Sequence, residues 1–391
     1  MRSPCIMIVA VEPSGDALGA NLLAALRSRL DQRTRFIGVG GPRMARGGVA
    51  SPFPIEGLAI LGVFNAIAAL PLVRRRVGET VRLAGNEKPD AVVLIDSWGF
   101  SLRVARGLRR LRPRPAIVKY VAPQVWATRP GRARTLAGAV DHLLTIHAFD
   151  APWFERHGLG VTFVGNPVLA RDQGPVDGGR LRARIGAAPG DPVLLVLPGS
   201  RQSEIERLMG PFGDAVSRLV VSHPGLKVVV GATETVADGV AARVADWPVP
   251  AIILCDESDR LDAMRAATVA LACSGTVTTE LAMAGCPMVV AYRLGPLTAA
   301  VARRLIRTPW ITLVNVAAKA FVVPEFVQER CTGEALAGAI SRRLDDPALR
   351  ARQVAAQTAA LAIMGGGVAD PAGAAAEAIV RLVQLRASRG T

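Results

Sequence analysis

The sequence is short of aromatic residues, lysine, histidine and paired cysteine, and each shortage narrows what the chain can do. Aromatic residues make up 4% of the 391 positions and no nucleic-acid-binding motif accompanies the arginines, so nucleic acid is not an expected partner. The five cysteines, Cys5, Cys255, Cys273, Cys286 and Cys331, share no CxxC spacing, which argues against a zinc site or a disulfide framework and suits a reducing cytoplasm. His142, His147, His157 and His223 show no ligand spacing either, so no metal is expected. The first apolar run is not followed by a GxGxxG with a downstream acid, and no dinucleotide or other cofactor is indicated. That run ends at Glu12, too early for a signal peptide. Leu58 to Val73 is uncharged but interrupted by Gly62 and Pro71, and falls short of the roughly 20 residues that cross a bilayer.

Acidic residues are missing altogether between Ser97 and Val140, where Arg103, Arg106, Arg109, Arg110, Arg112, Arg114, Lys119, Arg129, Arg132 and Arg134 fall. The block contributes to a formal charge of +15 and suits an anionic membrane surface or phosphorylated substrates better than nucleic acid. The apolar 58–73 segment runs into Arg74-Arg75-Arg76, and an apolar patch with a basic edge can lie in a membrane interface. Peripheral membrane attachment is therefore expected, with a pair of core helices as the plainer alternative. With 50% hydrophobic residues the chain can bury two cores, and its length predicts two domains.

Strands and helices alternate along the whole chain, the pattern of an α/β fold with parallel sheets. Strands are expected at 6–11, 35–39, 91–95, 116–121, 141–146 and 161–164, and again at 193–197, 227–230, 252–254, 269–273 and 288–291. The Glu12-Pro-Ser-Gly-Asp16 stretch reads as a turn leading into a helix over 17–30. Gly165-Asn166-Pro167 breaks the pattern, and residues near 167–190 read as a linker with an entry helix. The domains are drawn at 1–168 and 169–345, two Rossmann-like halves facing a cleft, with alanine-rich closing helices over 346–391.

Candidate residues sit where strands give way to helices, because ligands of open parallel sheets bind outside the strands' carboxyl ends. Val193 to Leu197 runs into Pro198-Gly199-Ser200-Arg201 and a helix from Gln202; its free N–H groups and the Arg201 fork make an anion-binding corner. Ser274-Gly275-Thr276 opens the helix after the 269–273 strand and adds further N–H and hydroxyl donors. Glu280 can accept ribose hydroxyls or serve as a first-turn acid favoured by the helix dipole. Asp96, at the end of the 91–95 strand, is a general-base candidate or a helix N-cap.

Together these pieces resemble the lipid-A-disaccharide synthase family over nearly the whole chain. The resemblance rests on Glu12-Pro-Ser-Gly-Asp16, Gly38-Val-Gly-Gly-Pro-Arg-Met44, Ile60-Leu-Gly62, Ile95-Asp96, Tyr120 to Trp126 and Phe163-Val-Gly165. It continues through Leu197-Pro-Gly-Ser-Arg201, Ser274-Gly-Thr276, Pro287 to Arg293, Leu313-Val-Asn315, Val323-Pro-Glu325 and Gln328-Glu329. It implies a glycosyltransferase-B fold and an inverting, metal-independent sugar transfer. In that reaction UDP-2,3-diacylglucosamine is joined to 2,3-diacylglucosamine 1-phosphate, giving a β-1,6 disaccharide 1-phosphate and UDP. The family roles fall on Asp96 as base and Glu12 as an active-site acid, with Ser14, Gly15 and Asp16 beside it. Arg201 and the Ser274, Gly275, Thr276 and Glu280 loop are assigned to UDP, and Asn315 to the site. A cytoplasmic enzyme attached to the inner leaflet is implied, and a homodimer exchanging C-terminal helices.

Three loops depart from the family pattern, all in the acceptor half. The usual I-D-x-P-D-F is Ile95-Asp-Ser-Trp-Gly-Phe100, S-P-S-V-W-A-W is Ala122-Pro-Gln-Val-Trp-Ala-Thr128, and G-H-P is Gly165-Asn166-Pro167. A UDP-sugar enzyme with another acceptor, an epimerase on the same frame, and a non-catalytic UDP binder are the competing readings.

Overall fold

The computed structural model describes residues 4–55, 58, 70–170, 177–365 and 367–389. The chain divides into two compact units, Met1–Ala170 with Gly365–Thr391, and Arg171–Met364. Among the described residues the first holds six strands: β1 (Cys5–Ala10), β2 (Arg35–Val39), β3 (Ala91–Ile95), β4 (Ala116–Tyr120), β5 (His142–Thr145) and β6 (Gly160–Phe163). They pair in parallel in the order β2-β1-β3-β4-β5-β6. Every residue of β1, β3 and β4 is buried, as expected of strands covered on both faces, whose sequences run apolar without alternation except at Lys119 and Tyr120 of β4.

Neighbouring residues on each strand face opposite cores. Met7, Val9, Val92 and Leu94 pack with Val73, Ala84, Phe100 and Val104 from the Leu70–Glu87 and Trp98–Leu108 helices. Ile6, Ile8, Val93 and Ile95 pack with Leu22, Leu23 and Leu26 of the Pro13–Arg27 helix and with Ala375, Ala376 and Ile379 of the Pro371–Arg389 helix. Burying each of those leucines stabilises the unit by roughly 1.5–3 kcal/mol. The first helix starts at Pro13, earlier than the turn expected over 12–16, because proline's fixed φ and missing N–H suit the first helical position.

The second unit repeats the design with β7 (Val193–Leu197), β8 (Lys227–Gly231), β9 (Ala251–Leu254), β10 (Val269–Cys273), β11 (Met288–Tyr292) and β12 (Glu325–Val327). Their order, β12-β11-β10-β7-β8-β9, is again parallel throughout. In both sheets the chain builds outward in one direction, returns to the middle and builds the other way. The reversal falls between β1 and β3 in one and between β7 and β10 in the other.

The residues after 346 go to both units. The Pro347–Ile363 helix stays with the second, where Gln353 and Gln357 donate to the carbonyls of Met288 and Cys286 at 2.8 and 3.0 Å. The Pro371–Arg389 helix belongs to the first, where Arg386 donates to the Arg114 carbonyl at 3.1 Å and reaches Asp141. Gly365, at φ +102, opens this return; a Cβ there would lie 2.1 Å from the Phe163 ring.

Most of the 58–73 segment, including Leu61, Gly62 and Phe64, lies outside the described residues, as does the linker over 171–176.

Candidate functional site

At the carboxyl ends of β1, β3 and β4 the first unit gathers three charged side chains. Glu12 occupies the N-cap position of the Pro13–Arg27 helix. Asp96 follows β3 with φ of +45, Ser97 continues at +41, and Val121 leaves β4 at +72. Left-handed backbone in non-glycine residues, and above all in a β-branched valine, is held only where surrounding bonds over-determine it. Here those bonds come from the sheet, since the Asp96 N–H donates to the Tyr120 carbonyl and that of Val121 to Leu144, each at 3.0 Å.

The third side chain, Lys119, was missed from the sequence. It is 2% exposed, on a strand otherwise apolar or aromatic. Its ammonium donates to the carbonyls of Leu94 and Tyr120 at 3.4 and 3.3 Å and to that of Asp96, which also accepts from the Ser101 hydroxyl at 2.6 Å. Lys119 thus pins the Asp96 main chain. Burial pushes its amine down to about 8, opposed by the charges of Asp96 and Glu12. Burial also raises the Glu12 carboxyl above its ordinary range, and the Asp96 charge adds to this; a hydrogen bond with Ser97 and the Lys119 charge work the other way. The corner is one electrostatic unit at the sheet's switch point.

The neighbouring predicted residues play different parts. Ser14 is exposed in the first helical turn, and Gly15 is buried against the sheet, where a Cβ would make only ordinary contacts with Ala10 and Ile95 at 3.4 and 3.6 Å. Asp16 is 2% exposed and its carboxylate accepts from the backbone N–H groups of Gly41, Arg43 and Met44 at 2.8, 2.9 and 3.0 Å. Its oxygens hold the loop after β2, which explains Gly41, where a Cβ would lie 2.8 Å from Asp16; a Cβ on Gly40 would meet Met44 at 2.5 Å.

In the second unit a cavity of about 440 Å³ opens at the carboxyl ends of β7 and β10, and Arg201, Ser274, Gly275, Thr276 and Glu280 all line it. Two N–H groups expected to be free are already engaged. Glu204, 6% exposed, accepts from the backbone of Ser200 and Arg201 at 3.0 and 3.3 Å, and its other oxygen takes the Arg201 guanidinium at 2.8 Å. An acid three residues past the N-cap reaches back to the cap backbone in this way, and here the cap is one-sided, because a guanidinium has no acceptor to offer in return. It was overlooked because an arginine, not Ser or Thr, occupies the cap position. Gly199, at φ +118, is required by the same acid, which a Cβ would meet at 2.5 Å.

Asn315 does not line the cavity. Fully buried, it donates to the Val323 carbonyl and Glu325 at 2.7 and 2.8 Å and accepts from the Val323 N–H at 2.8 Å. Glu325 in turn accepts from the Ile311 N–H at 2.9 Å, and the Ile311 carbonyl accepts from the Ser274 hydroxyl at 3.1 Å. Asn315 therefore reaches the cavity through a buried polar chain that fixes Ser274.

Among the described residues no group of His, Cys, Asp or Glu could hold a metal ion, and no helix is long and apolar enough to cross a membrane. Arg75 and Arg76 of the basic edge both pair with Glu79, at 3.0 and 2.7 Å.

A family model described as lipid-A-disaccharide synthetase matches residues 6–377. The chain is 45% identical to the lipid-A-disaccharide synthase of Rhodospirillum centenum, covering 99% of this chain and 96% of that one. It is 41% identical to that of Paramagnetospirillum magneticum, covering 97% of each. Among solved structures it resembles Staphylococcus aureus MnaA, whose structure contains UDP, with a TM-score of 0.62 at 14% identity over 98% of this chain and 97% of that one. The glycotransferase of kitacinnamycin matches with a TM-score of 0.62 at 17% identity, over 98% of this chain and 100% of that one. At such identities these two structures speak for the fold, two Rossmann-like domains of the glycosyltransferase-B kind.

Proposed function

This chain belongs to the lipid-A-disaccharide synthetase family, and from that premise we propose how its residues divide the work of the reaction. The enzyme is a glycosyltransferase that joins UDP-2,3-diacylglucosamine to 2,3-diacylglucosamine 1-phosphate, giving the β-1,6 disaccharide 1-phosphate and UDP. The acceptor's 6-hydroxyl attacks the donor's anomeric carbon, its proton passes to a carboxylate, and the bond to the UDP oxygen breaks with inversion.

In our reading the first unit binds the acceptor and supplies the base. Asp96 takes the proton, held in its left-handed conformation by Lys119 and Ser101. Glu12, raised by burial, shares the corner as the second carboxylate, and Ser14 lies exposed on the same turn. Inversion demands a base placed before the attack begins, and a backbone pinned by three hydrogen bonds delivers that placement.

The second unit binds the UDP-sugar. The cavity between the Gly199–Arg201 turn and the Ser274–Thr276 turn takes the diphosphate, with Arg201 compensating the charge that develops on the leaving oxygen. Glu280, which lines the same cavity, accepts from the ribose hydroxyls in this reading. Glu204 holds Arg201 until a diphosphate offers it more negative charge. Support comes from this cavity at one switch point and the carboxylate corner at the other, in a chain matched by one family model over residues 6–377.

Lipid-linked substrates call for access to a bilayer, and we place the enzyme in the cytoplasm, attached peripherally to the inner leaflet through the 58–73 segment, as a homodimer. Incubating purified protein with both acylated substrates should release UDP in step with disaccharide. UDP release without disaccharide, or no turnover, would overturn the assignment. Sedimentation velocity and flotation with anionic vesicles test the dimer and the attachment.

A further inference from the structure

Arg129 and Arg132 form a charged pair that no role assigned so far employs. They bracket Pro130-Gly131 in a turn closed by the Arg132 N–H, which donates to the Arg129 carbonyl at 2.9 Å, so the two residues lie within one turn's span. Arg129 holds φ of +51, another left-handed non-glycine residue of the kind that clusters at ligand sites. The Arg132 guanidinium lies over the Trp98 ring, 5.0 Å from its centroid, and Trp98 opens the helix that follows Asp96-Ser97. One arginine of the pair is therefore anchored on the first residue of the helix that begins two residues after the proposed base.

Neither guanidinium has a countercharge among the described residues. Among the described residues no carboxylate pairs with either, whereas Arg109 and Arg114 both reach Asp141, at 3.7 and 2.6 Å. The acid-free stretch from Ser97 to Val140 shows why no local partner exists. Burial and the Arg129 charge both weigh against the protonated form of Arg132, yet a guanidinium keeps its proton, so the protein carries the repulsion until an anion relieves it. Gly131 leaves the space open, since a Cβ there would meet nothing within 4 Å.

We propose that Arg129 and Arg132 are the subsite for the acceptor's phosphomonoester, an inference that rests on the acceptor being a sugar 1-phosphate. A phosphomonoester brings close to two negative charges and three acceptor oxygens, which match two planar forks of donors. Gripped by its phosphate, the sugar is oriented so that its far end presents the attacking hydroxyl to the Asp96 corner.

The test deletes the residues and the phosphate separately. Arg129→Gln, Arg132→Gln, the double variant and Arg132→Lys are assayed with 2,3-diacylglucosamine 1-phosphate and with its unphosphorylated counterpart, in neutral detergent micelles. The wild type should favour the phosphorylated acceptor in kcat/KM by on the order of 10²-fold, the double variant should lose that preference, and Arg132→Lys should keep part of it. Equal losses on both acceptors would overturn the subsite, as would a loss seen only with anionic vesicles, which would mark a lipid-headgroup contact. Calorimetric titration with glucosamine 1-phosphate separates the two readings. If the wild type turns over neither acceptor but binds this ligand more tightly than the double variant, the subsite stands and the acceptor assignment falls. Equal binding by both sinks the subsite.

Discussion

The two units share a topology and differ in what they bury. Each is a six-stranded parallel sheet whose strand order reverses in the middle, and each places its candidate site at that reversal. The first unit concentrates ionisable groups there: a buried lysine, two carboxylates and backbone at φ values of +45, +41 and +72. The second presents an open cavity walled by glycines, hydroxyls and two arginines, Arg201 and Arg260, with Glu204 committed to capping a helix. The contrast teaches that the fold positions a site without choosing its chemistry. Stored strain and buried charge belong where a proton must move, and adaptable donors belong where a ligand must enter and leave.

If that division holds, the largest effect comes from Asp96→Asn, which should lower kcat by about 10²–10⁴-fold while leaving UDP affinity close to wild type. Loss of UDP binding in this variant would break the comparison. Arg201→Ala should do the reverse, weakening UDP binding and costing on the order of 10²-fold in rate, because it removes the compensating charge and leaves buried Glu204 facing the diphosphate. Lys119→Met sharpens the first half of the contrast. Without the ammonium, the Glu12 carboxyl loses the charge that opposes its upward shift, so the acid limb of the kcat/KM profile should move to higher pH. A profile unchanged in position, with the variant as stable as wild type, would show that Lys119 does not tune the corner.

Much of this was readable before any coordinates, and unevenly so. β3, β7 and β10 stand at the residues expected of them, because strands buried on both faces are bare apolar runs between turn residues. β12 escaped notice because its three residues follow a proline and are too few to show a period. Lys119 falls in the acid-free cationic block that suits an anionic partner, and nothing in that block singles it out. The available signal was its position inside Ala116–Tyr120, where its neighbours left it no route to water. The return of the Pro371–Arg389 helix to the first unit was hidden for another reason. Alanine-rich helices carry little address of their own, and this one is placed by the face of β1, β3 and β4 that it covers, a partner more than 250 residues away in the chain.

The smallest effect is also the most local. Asp150 is 2% exposed, accepts from the Trp126 indole at 3.0 Å, and has its carboxyl pushed up to about 7 by burial, against an ordinary 3.8. A folded state that holds this proton more tightly than the unfolded chain gains stability that is complete below about pH 4 and is lost progressively as the pH rises to about 7. Asp150→Asn keeps an oxygen for the indole and has no proton to lose, so its stability should not share that decline. His142, whose pKa burial lowers, gains stability with rising pH in the same window, but equally in both proteins, so their difference isolates Asp150. Chemical denaturation at pH 5 and pH 7.5 should therefore show the variant gaining on wild type, by a kcal/mol or more between the two. The groups pushed furthest in the second unit, the Cys273 and Cys286 thiols at about 12, titrate far above this range. A difference that stayed constant between the two pH values would mean that Asp150 is already ionised in the folded chain, and that the first unit's hold on buried protons ends at the Glu12 corner.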